Sequence, residues 1–379
     1  MKSNEERSFV SISRKAIEKN YNTFRKKISK EVFFMAVVKS NAYGHCMVSY
    51  AKELERLGAD WFGVDDVDEA LELRRNGIKK PILVLGYTLP LRFKEASKHN
   101  ISVTISNFDS LNSLLKSDLN GKLKIHIKVD TGLNRQGFRM QDLDQILHEF
   151  SIFNFQFSKM RIEGLYSHLA AAENPEDKNY TSFQIDNFKK WQSAFESAGF
   201  NPICHIGATA ATLVAPGTHL DMVRVGIGLY GLWPSEEIRE IAGKKAKLHP
   251  SLSWKSVVGD VKTVPAGSLV GYDCTEELRR DKVLAVVPVG YWHGLPRAMS
   301  SVGEVLIRGK RAKIVGRVSM DMISVDVTSI KGIRTGDEVV IIGKQKTEEI
   351  SSDDLARRAG TINYEIVTRI NPLIKRFFF

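Results

Sequence analysis

Short apolar runs alternate with amphipathic stretches of helical spacing along the first two thirds of the chain. Eight runs rich in Val, Ile and Phe predict strands: Val32–Val38, Asp60–Val64, Ile82–Gly86, Ser102–Ile105, Leu123–Val129, Arg161–Ser167, Ile203–Ile206 and Met222–Gly226. Stretches with helical spacing lie between them: Val48–Leu57, Val67–Arg75, Phe108–Lys116, Met140–Phe150, Phe183–Ala198 and Thr209–Leu213. Asp66 and Ser106, each followed three residues later by an acid, indicate helix starts. This order predicts a (β/α)8 barrel, with a doubly wound open sheet as the competing fold.

The pattern changes after about residue 245, where β-branched runs are separated by glycines and charged turns. These runs predict further strands: Ser253–Val264, Val283–Pro288, Val302–Arg308, Lys313–Val318, Ile323–Val327 and Glu338–Ile342. One helix is expected over Ser351–Ala359, with Ser351 or Ser352 as its cap. The expected organisation is a barrel over residues 11–245 and a mainly β C-terminal domain over residues 246–379, which the segment 1–10 joins.

Composition limits the classes of protein that fit this pattern. The chain has 379 residues, 43% of them hydrophobic and 26% charged, which predicts two or three domains with packed cores. The longest apolar run, Val32–Val38, is far shorter than the ~20 residues of a membrane-spanning helix, and the charged N-terminus lacks a signal-peptide core. Three distant cysteines, Cys46, Cys204 and Cys274, favour neither a disulfide framework nor a metal site. We therefore expect a cytoplasmic protein with no metal.

The net charge of +11 raises the question of a nucleic-acid partner. The basic residues are spread along the chain, with small clusters at Arg25–Lys30, Lys244–Lys247 and Arg308–Lys313, and no nucleic-acid-binding motif accompanies them. We expect a basic protein that favours small anions, with no nucleic-acid partner.

Candidate chemistry follows the strands, because the C-terminal ends of barrel strands carry the active site in this fold. Lys39 follows the first strand, where partial desolvation suits an amine to Schiff-base chemistry, although its position alone also fits an ordinary rim lysine. Lys128 lies at the end of the fifth strand, and Asp130 and Arg135 follow it. His168 follows the sixth, and a lone histidine there is more often a structural residue than a functional one.

The last two strands of the predicted barrel are followed by an anion-binding pattern. Thr209 opens a helix among small residues, and Arg224 precedes the glycine-rich turn at Gly226 and Gly228. Phosphate sites recur at this place in barrels. A lysine on the first strand together with a phosphate site on the last two suggests pyridoxal 5'-phosphate as the cofactor.

Several motifs, taken in order, resemble the bacterial alanine racemases, which are fold-type III pyridoxal-phosphate enzymes. The resemblance runs nearly from end to end and is most specific at Ala36-Val-Val-Lys39-Ser-Asn-Ala-Tyr43-Gly44-His45. The other matching segments keep the order and spacing of the family: Lys128–Gly137, Met222–Gly231, Gly271-Tyr272, Gly316–Asp321 and Asn363-Tyr364-Glu365.

The resemblance implies a role for each matching residue. Lys39 would form the internal aldimine, Arg224 would face the pyridine nitrogen and Arg135 the phenolic oxygen. The implied phosphate contacts are Tyr43, Thr209, Tyr364 and the backbone at Gly226 and Ile227. The implied substrate contacts are Arg135, Tyr272, Tyr291, Met320 and Asp321. The implied substrate corridor contains Glu173, Arg297, Arg317 and Ile362, with Tyr291 at its rim. Lys128 matches a lysine that is often carbamylated in the family, which would let it position Arg135.

The implied activity is interconversion of L- and D-alanine, which supplies D-alanine for peptidoglycan. Racemisation needs acid–base groups on opposite faces of the substrate, and the resemblance assigns these to Lys39 and Tyr272. His168, in contact with Arg224, would assist Tyr272. In the family this tyrosine comes from the partner subunit, which implies an obligate homodimer with composite sites.

Five positions depart from the family pattern near the implied site: Glu173, Ala208, Asp273, His293 and Ser319. They leave open a related racemase that acts on serine or on a broader set of amino acids. A decarboxylase of the same fold type would need a Cys-Asp pair, which we do not find at the expected place. A metal-dependent relative would need His or Cys ligands after His293, and the sequence has neither there. A non-catalytic pyridoxal-phosphate carrier would be a single barrel without the β-rich domain.

Overall fold

The computed structural model describes residues 5–117, 119, 122–152, 160–174 and 178–379, and it divides into two compact units. The first unit comprises Ala16–Ala42 and Met47–His249. The second comprises the described residues up to Lys15 together with Tyr43–Cys46 and Pro250–Phe379. In the described part of the chain, no helix is both long enough and apolar enough to cross a membrane.

The first unit is built on eight parallel strands, which follow strand β1 (Ser8–Ile12) of the other unit along the chain. They are β2 (Phe33–Val37), β3 (Trp61–Val64), β4 (Ile82–Val84), β5 (Ser102–Ile105), β6 (Leu123–Lys128), β7 (Met160–Tyr166), β8 (Ile203–His205) and β9 (Met222–Val225). Their spatial order is β8-β7-β6-β5-β4-β3-β2-β9. Backbone hydrogen bonds from Asp221 N to Cys204 O (3.1 Å) and from Arg224 N to Gly207 O (3.0 Å) link the two ends of this sheet. The prediction of a barrel is confirmed, and the competing prediction of a doubly wound open sheet is wrong.

The barrel strands are continuous apolar runs because helices and the barrel interior bury both of their faces. Met35, Trp61, Leu83 and Met222 form one buried cluster from four neighbouring strands. This packing places the C-terminal ends of all eight strands, and the residues that follow them, on one rim.

The helices of the first unit mostly lie where the helical spacing predicts them. They span Arg14–Arg25, Met47–Leu57, Val67–Arg75, Phe93–Lys98, Phe108–Lys116, Leu143–Ile152, Lys178–Ser197, Thr209–Val214 and Glu236–Ala242. Asp66 caps its helix as predicted and accepts a hydrogen bond from Glu69 N. The cap predicted at Ser106 is wrong by one residue, because Asn107 has the extended conformation and accepts the bond from Ser110 N.

The second unit is a mainly β structure whose strands, after β1, begin at residue 252. They are β10 (Leu252–Val257), β11 (Asp260–Val264), β12 (Leu269–Val270), β13 (Glu276–Glu277), β14 (Lys282–Val287), β15 (Glu304–Ile307), β16 (Lys310–Val315), β17 (Ile323–Asp326), β18 (Glu338–Gln345), β19 (Glu348–Ile350) and β20 (Arg376–Phe378). The large sheet has the order β11-β14-β17-β16-β15-β18-β10-β1-β20, with β19 paired to β18, and β12 pairs with β13 separately. The mainly β character predicted for this region is confirmed.

Two helices, Ser352–Ala359 and Asn363–Thr368, complete the second unit. Ser351 caps the first of them in a reciprocal arrangement with Asp354, so Ser351 rather than Ser352 is the cap. Strand β1 pairs with both β10 and β20, which places the N-terminal strand inside the large sheet.

Candidate active site

Lys39 lies at the C-terminal end of β2, where the chain makes an unusual turn. Ser40–Ala42 have φ angles of 51–55°, in the left-handed region that residues with side chains rarely adopt. Two contacts hold this turn: Asn41 Oδ1 accepts a hydrogen bond from Met47 N (2.9 Å), and Asn41 N donates one to Glu69 Oε1 (3.3 Å). Backbone strain of this kind persists only where the surroundings enforce it, and it clusters at functional sites.

The amine of Lys39 is paired with a carboxylate that sequence reasoning missed. Lys39 Nζ lies 3.0 Å from Asp65 Oδ1, and Asp65 directly follows β3, the neighbour of β2. Asp65 could have been found as a charged residue that directly follows a buried strand, the same signal that identified Lys39.

Arg224, on β9, is a buried guanidinium whose side chain is enclosed by acceptors. Nη1 donates to Nδ1 (2.7 Å) and to the backbone oxygen (3.0 Å) of His205. Nη2 donates to the backbone oxygens of Ser167 (2.7 Å) and Ile206 (3.2 Å). Burial lowers the pKa of Arg224 to about 10, so the group stays charged at neutral pH. These acceptors compensate the cost of burying the charge and fix the direction of the guanidinium.

His168 is linked to Arg224, the contact that the family resemblance implies. Arg224 Nη2 lies 3.3 Å from His168 Nδ1, and a guanidinium can only donate, so Nδ1 accepts. Burial and the nearby positive charges, Arg224 first among them, lower the pKa of His168 to about 3. The ring is therefore neutral at pH 7 and carries its hydrogen on Nε2.

Lys128 is buried at the end of β6 and contacts Gln136 rather than Arg135. Its Nζ donates to Gln136 Oε1 (3.0 Å), and Gln136 Nε2 donates to Ser106 Oγ (3.1 Å). Burial, followed by repulsion from Arg135, lowers the pKa of Lys128 to about 8. Arg135 itself is exposed. Gln136 is therefore the direct partner of Lys128, and carbamylation of Lys128 stays a prediction.

The turn after β9 meets the helix that begins at Thr209. Thr209 Oγ1 accepts a hydrogen bond from Gly226 N (3.1 Å), which brings Thr209 next to Gly226 and Ile227. Ala208, at the N-cap position, gives that helix no side-chain cap. The three predicted phosphate contacts of the first unit therefore lie together.

Three residues that the sequence did not single out form a buried polar chain behind Arg224. His205 Nε2 lies 2.9 Å from His126 Nδ1, and His126 Nε2 lies 3.5 Å from Glu163 Oε2. Glu163 also accepts a hydrogen bond from Ser102 Oγ (2.5 Å). Polar residues inside otherwise apolar strands were the available signal.

In the second unit, two of the matching motifs pack directly against each other. A Cβ on Gly316 would lie 2.7 Å from Val270 O, so Gly316 permits the segment that carries Tyr272 to approach. Asp273 forms an ion pair with Arg317. The Tyr272 side chain is 70% exposed at this place and projects from its own unit.

A second group in this unit joins Tyr291 to the Met320 segment. Tyr291 N and Trp292 N donate to the backbone oxygens of Ser319 and Met320, each at 3.0 Å. His293, in place of the acid usual in the family, is buried, and its Nδ1 lies 4.0 Å from Asp321 Oδ1. Burial lowers the pKa of His293, so this ring is neutral at pH 7.

Tyr43 and Tyr364, which the resemblance places at the phosphate, also lie together in the second unit. Their ring centroids are 6.1 Å apart. Gly44 permits the close approach of this segment to the helix Asn363–Thr368, because a Cβ there would lie 2.1 Å from Val367 O.

Among the corridor residues, Arg297 and Tyr291 line one open cavity of about 600 Å³, together with Arg369. Arg317, as described, pairs with Asp273. Ile362 is exposed at the start of the helix Asn363–Thr368. Glu173 belongs to the first unit, where its backbone oxygen accepts a bond from Ser235 Oγ (2.8 Å). No cluster of His, Cys, Asp and Glu suited to a metal ion occurs among the residues that the structure describes.

Comparisons with known proteins agree with this geometry. The family model for the alanine racemase N-terminal domain matches residues 12–234, and that for the alanine racemase C-terminal domain matches residues 251–378. Alanine racemase 1 of Caldanaerobacter subterraneus is 41% identical over 372 residues, covering 96% of this chain and 92% of the relative. Alanine racemase of Methanococcus maripaludis is 38% identical over 375 residues, covering 98% of both chains.

Solved structures lead to the same family. The alanine racemase of Bacillus anthracis with bound L-Ala-P superposes with a TM-score of 0.93 at 34% identity, covering 99% of this chain and 95% of that one. The enzyme of the D-cycloserine producer Streptomyces lavendulae gives a TM-score of 0.91 at 34% identity, covering 98% and 97%.

Proposed function

The chain belongs to the alanine racemase family, and from that premise we propose that it interconverts L- and D-alanine with Lys39 and Tyr272 as its two proton-transferring groups. The observation that carries the proposal is the cationic rim of the barrel. There Lys39, Arg135 and Arg224 all act on the same half-buried His168 and lower its pKa. Such a rim favours a ligand with several negative charges.

The donor set fits pyridoxal 5'-phosphate as that ligand. Lys39 offers a primary amine, Arg224 a fixed guanidinium, and Thr209 with the Gly226–Ile227 turn a hydroxyl and backbone N–H groups for phosphate. We assign Tyr43 and Tyr364 to the same phosphate. When bound, the cofactor supplies the electron sink that lets the α-proton of an amino acid leave.

Each of the two proton-transferring groups is proposed to act on one face of the substrate. We propose that on one face the amine of Lys39 takes the α-proton and its ammonium form returns one, while on the other face the phenolate of Tyr272 takes the α-proton and its hydroxyl returns one. A phenolate needs a donor or a cation nearby to be stabilised. His168, neutral and with its hydrogen on Nε2, is proposed as that donor, with Arg224 holding the ring in this orientation.

Arg224 has a second proposed role, toward the pyridine nitrogen of the cofactor. A guanidinium donates and never accepts, so a ring nitrogen that faces Arg224 stays unprotonated. By keeping that nitrogen unprotonated, Arg224 would favour return of the proton at the α-carbon over side reactions such as transamination.

We propose that the substrate carboxylate contacts Arg135 and the backbone N–H of Met320. The remaining proposed lining of the substrate site consists of Asp321, Tyr272 and Tyr291. Glu173, Ala208, Asp273, His293 and Ser319 depart from the family pattern, and they keep serine or a broader range of amino acids as the alternative substrate class. The proposed biological role is that of a cytoplasmic enzyme that supplies D-alanine for peptidoglycan.

A homodimer with composite sites is supported by the surface around Tyr272. Several large apolar side chains of the second unit are exposed, including Tyr272, Met320, Met322 and Ile362. Exposed apolar groups of this kind are typical of an interface. We propose that Tyr272 acts in the site of the partner subunit, so that each site requires both chains.

The purified protein tests the proposal by absorbance and by chiral product analysis. We expect a band at roughly 420 nm from the bound cofactor, a change in that band with D-alanine, and conversion of either enantiomer to a racemic mixture. The kcat/KM values for L-alanine, L-serine and L-lysine then separate alanine racemase from a broader enzyme. Absence of both the band and chiral conversion would overturn the proposal.

A further inference from the structure

Asp65 is an acidic residue in direct contact with the amine on which the proposed reaction depends. Its Oδ1 lies 3.0 Å from Lys39 Nζ, with 37% of the lysine side chain and 51% of the aspartate side chain exposed. The two residues follow neighbouring parallel strands, so the barrel itself sets their separation. None of the motifs that carry the family resemblance includes Asp65.

The backbone around Asp65 is held in place by contacts on both sides. Asp65 N donates to Glu69 Oε2 (2.9 Å), and the other oxygen of the same carboxylate accepts from Asn41 N in the Lys39 turn (3.3 Å). Gly86 N donates to Asp65 O (3.1 Å), and a Cβ on Gly86 would lie 2.4 Å from that oxygen. Glu69 therefore ties the Asp65 loop to the Lys39 turn, which holds the two backbone positions that carry the ion pair.

The surrounding charges make a partner for the Lys39 amine necessary. Lys39, Arg135 and Arg224 all lower the pKa of Lys128, which shows that four cations lie close enough to repel one another. Asp130, on the same rim, is engaged by backbone groups, since its Oδ1 accepts from Gly132 N and Asn134 N. Asp65 is the carboxylate that neutralises Lys39.

We propose that Asp65 is a positioning residue for Lys39, which holds the amine at the end of β2 and favours its protonated form whenever the amine is not bonded to the cofactor. This inference rests on the proposed function. Two opposite effects follow. In the cofactor-free protein, Asp65 slows attachment of the cofactor, because only a neutral amine can attack a carbonyl carbon. During turnover, Asp65 stabilises the ammonium that forms when Lys39 accepts the α-proton.

Attachment of the cofactor tests the first effect without measuring racemisation. Pyridoxal phosphate is added to cofactor-free protein between pH 6 and pH 9, and attachment is followed at roughly 420 nm and by borohydride trapping. In the Asp65→Asn variant we expect attachment at pH 7 to be about three- to fivefold faster, with its pH dependence moved to lower pH. The expected change is modest because a partly exposed ion pair is weak. Asp65→Glu, which keeps the charge, should restore most of the original dependence.

Asp68→Asn is the matched control. It removes the same charge three residues away, from a carboxylate that pairs with Arg92 at 2.7 Å. We expect Asp68→Asn to attach the cofactor like the parent protein at every pH. If Asp65→Asn and Asp68→Asn behave alike, Asp65 has no special relation to Lys39 and the inference is wrong.

Deuterium isotope effects test the second effect. Because L- and D-alanine have equal free energies, kcat/KM must be equal in the two directions for every variant, so those values alone cannot assign a face. We expect Asp65→Asn to raise the α-deuterium isotope effect for one enantiomer only, the one whose proton Lys39 removes. Equal changes for both enantiomers, or none, would contradict the inference. A parent protein that neither attaches the cofactor nor racemises alanine would instead refute the proposed function.

Discussion

Arg224 donates a hydrogen bond to Nδ1 of His205 at 2.7 Å, and this one contact fixes the hydrogens of two buried histidines. Since Nδ1 accepts, neutral His205 carries its hydrogen on Nε2 and donates it to His126 Nδ1. His126 then carries its own hydrogen on Nε2, directed at Glu163 Oε2 3.5 Å away. Burial lowers the pKa of both histidines, which keeps them neutral. The result is a row of buried polar groups that leads from a buried cation towards a buried carboxylate, with hydrogen bonds from Arg224 to His126 and a 3.5 Å separation at its last step.

The first prediction concerns the carboxylate end of this chain. Glu163→Gln should lower the free energy of unfolding by about 2 kcal/mol, because it removes the charge of the buried acceptor for Ser102. Urea unfolding of the cofactor-free protein measures the change. Glu196→Gln is the control: Glu196 is exposed and its carboxylate accepts a hydrogen bond from Gln192, one turn earlier on the same helix, so a change within about 0.5 kcal/mol is expected. Equal effects of the two substitutions would show that Glu163 contributes nothing special.

The second prediction is loss of stability between pH 6.5 and pH 5. The pKa values of His126, His168 and His205 are lowered in the folded protein, to about 3 for His168, whereas an unfolded histidine has a pKa of about 6.5. As the pH falls below 6.5, the unfolded chain binds protons that the folded protein does not. His168 therefore costs up to about 1.4 kcal/mol of stability per pH unit once the pH lies well below 6.5, and His126 and His205 add to the loss in the same direction.

Urea unfolding at pH 8, 7, 6 and 5 measures this slope. The chosen window lies above the ordinary pKa values of aspartate and glutamate, about 3.9 and 4.3, so the histidines dominate proton uptake within it. His99→Gln, which replaces an exposed histidine at the end of the helix Phe93–Lys98, should leave the slope unchanged. A stability that is flat from pH 8 to pH 5 would contradict the prediction.

Elements dictated by continuous local patterns were predictable from the sequence, and long-range polar pairs were not. The eight barrel strands were found because burial on both faces makes each an apolar run. The helix Arg14–Arg25 was missed because a polar residue, Asn20, occupies one of its core positions and donates to the backbone oxygens of Leu229 and His249. Only the folded chain shows that pairing.

The candidate site divides in the same way. Lys39, Arg224 and Thr209 were identified because each follows or ends a predicted strand, and the fold then brings them to one rim. Asp65 carries the same signal as Lys39, a charged residue directly after a strand, but its pairing with Lys39, like the contacts of Glu163, depends on the register between strands. Met35 lies opposite Trp61 in the β2–β3 pair, and this register sets where Lys39 and Asp65 emerge. Without that register, a single sequence does not distinguish Asp65 and Glu163 from the many acidic residues on the surface.

The third prediction concerns Gly290, which lies under the Met320 segment. A Cβ there would lie 2.2 Å from Ser319 O and 2.4 Å from Met320 O, and both are backbone atoms that cannot move aside independently. Gly290→Ala should therefore displace the turn Tyr291–His293 from the proposed carboxylate site and lower kcat/KM for alanine by about tenfold to a hundredfold.

Gly259→Ala provides the control in the same unit. Its nearest neighbour would be Val286 O at 3.5 Å, an ordinary contact, and neither glycine has a positive φ. Steady-state kinetics and unfolding of both variants are compared. If Gly290→Ala keeps full activity, Met320 does not hold the substrate carboxylate in the proposed way.

The fourth prediction tests whether each site needs two chains. Lys39 belongs to the barrel unit and Tyr272 to the β unit, and Lys39→Ala and Tyr272→Phe should each be inactive. If Tyr272 acts in the partner's site, a hybrid dimer of the two variants contains one site that retains both groups. Random exchange makes half of the dimers hybrid, with half of their sites intact, so activity should return to about a quarter of the parent's.

Mixing Lys39→Ala with Arg224→Ala is the matched control, because both changes lie in the barrel unit and every site of the hybrid then lacks one of them. That mixture should stay inactive. Subunit exchange is confirmed by isolating dimers that carry two different affinity tags, and racemisation is then measured on the isolated hybrids. Inactive hybrids of Lys39→Ala with Tyr272→Phe would place Tyr272 in its own chain's site and refute the composite arrangement.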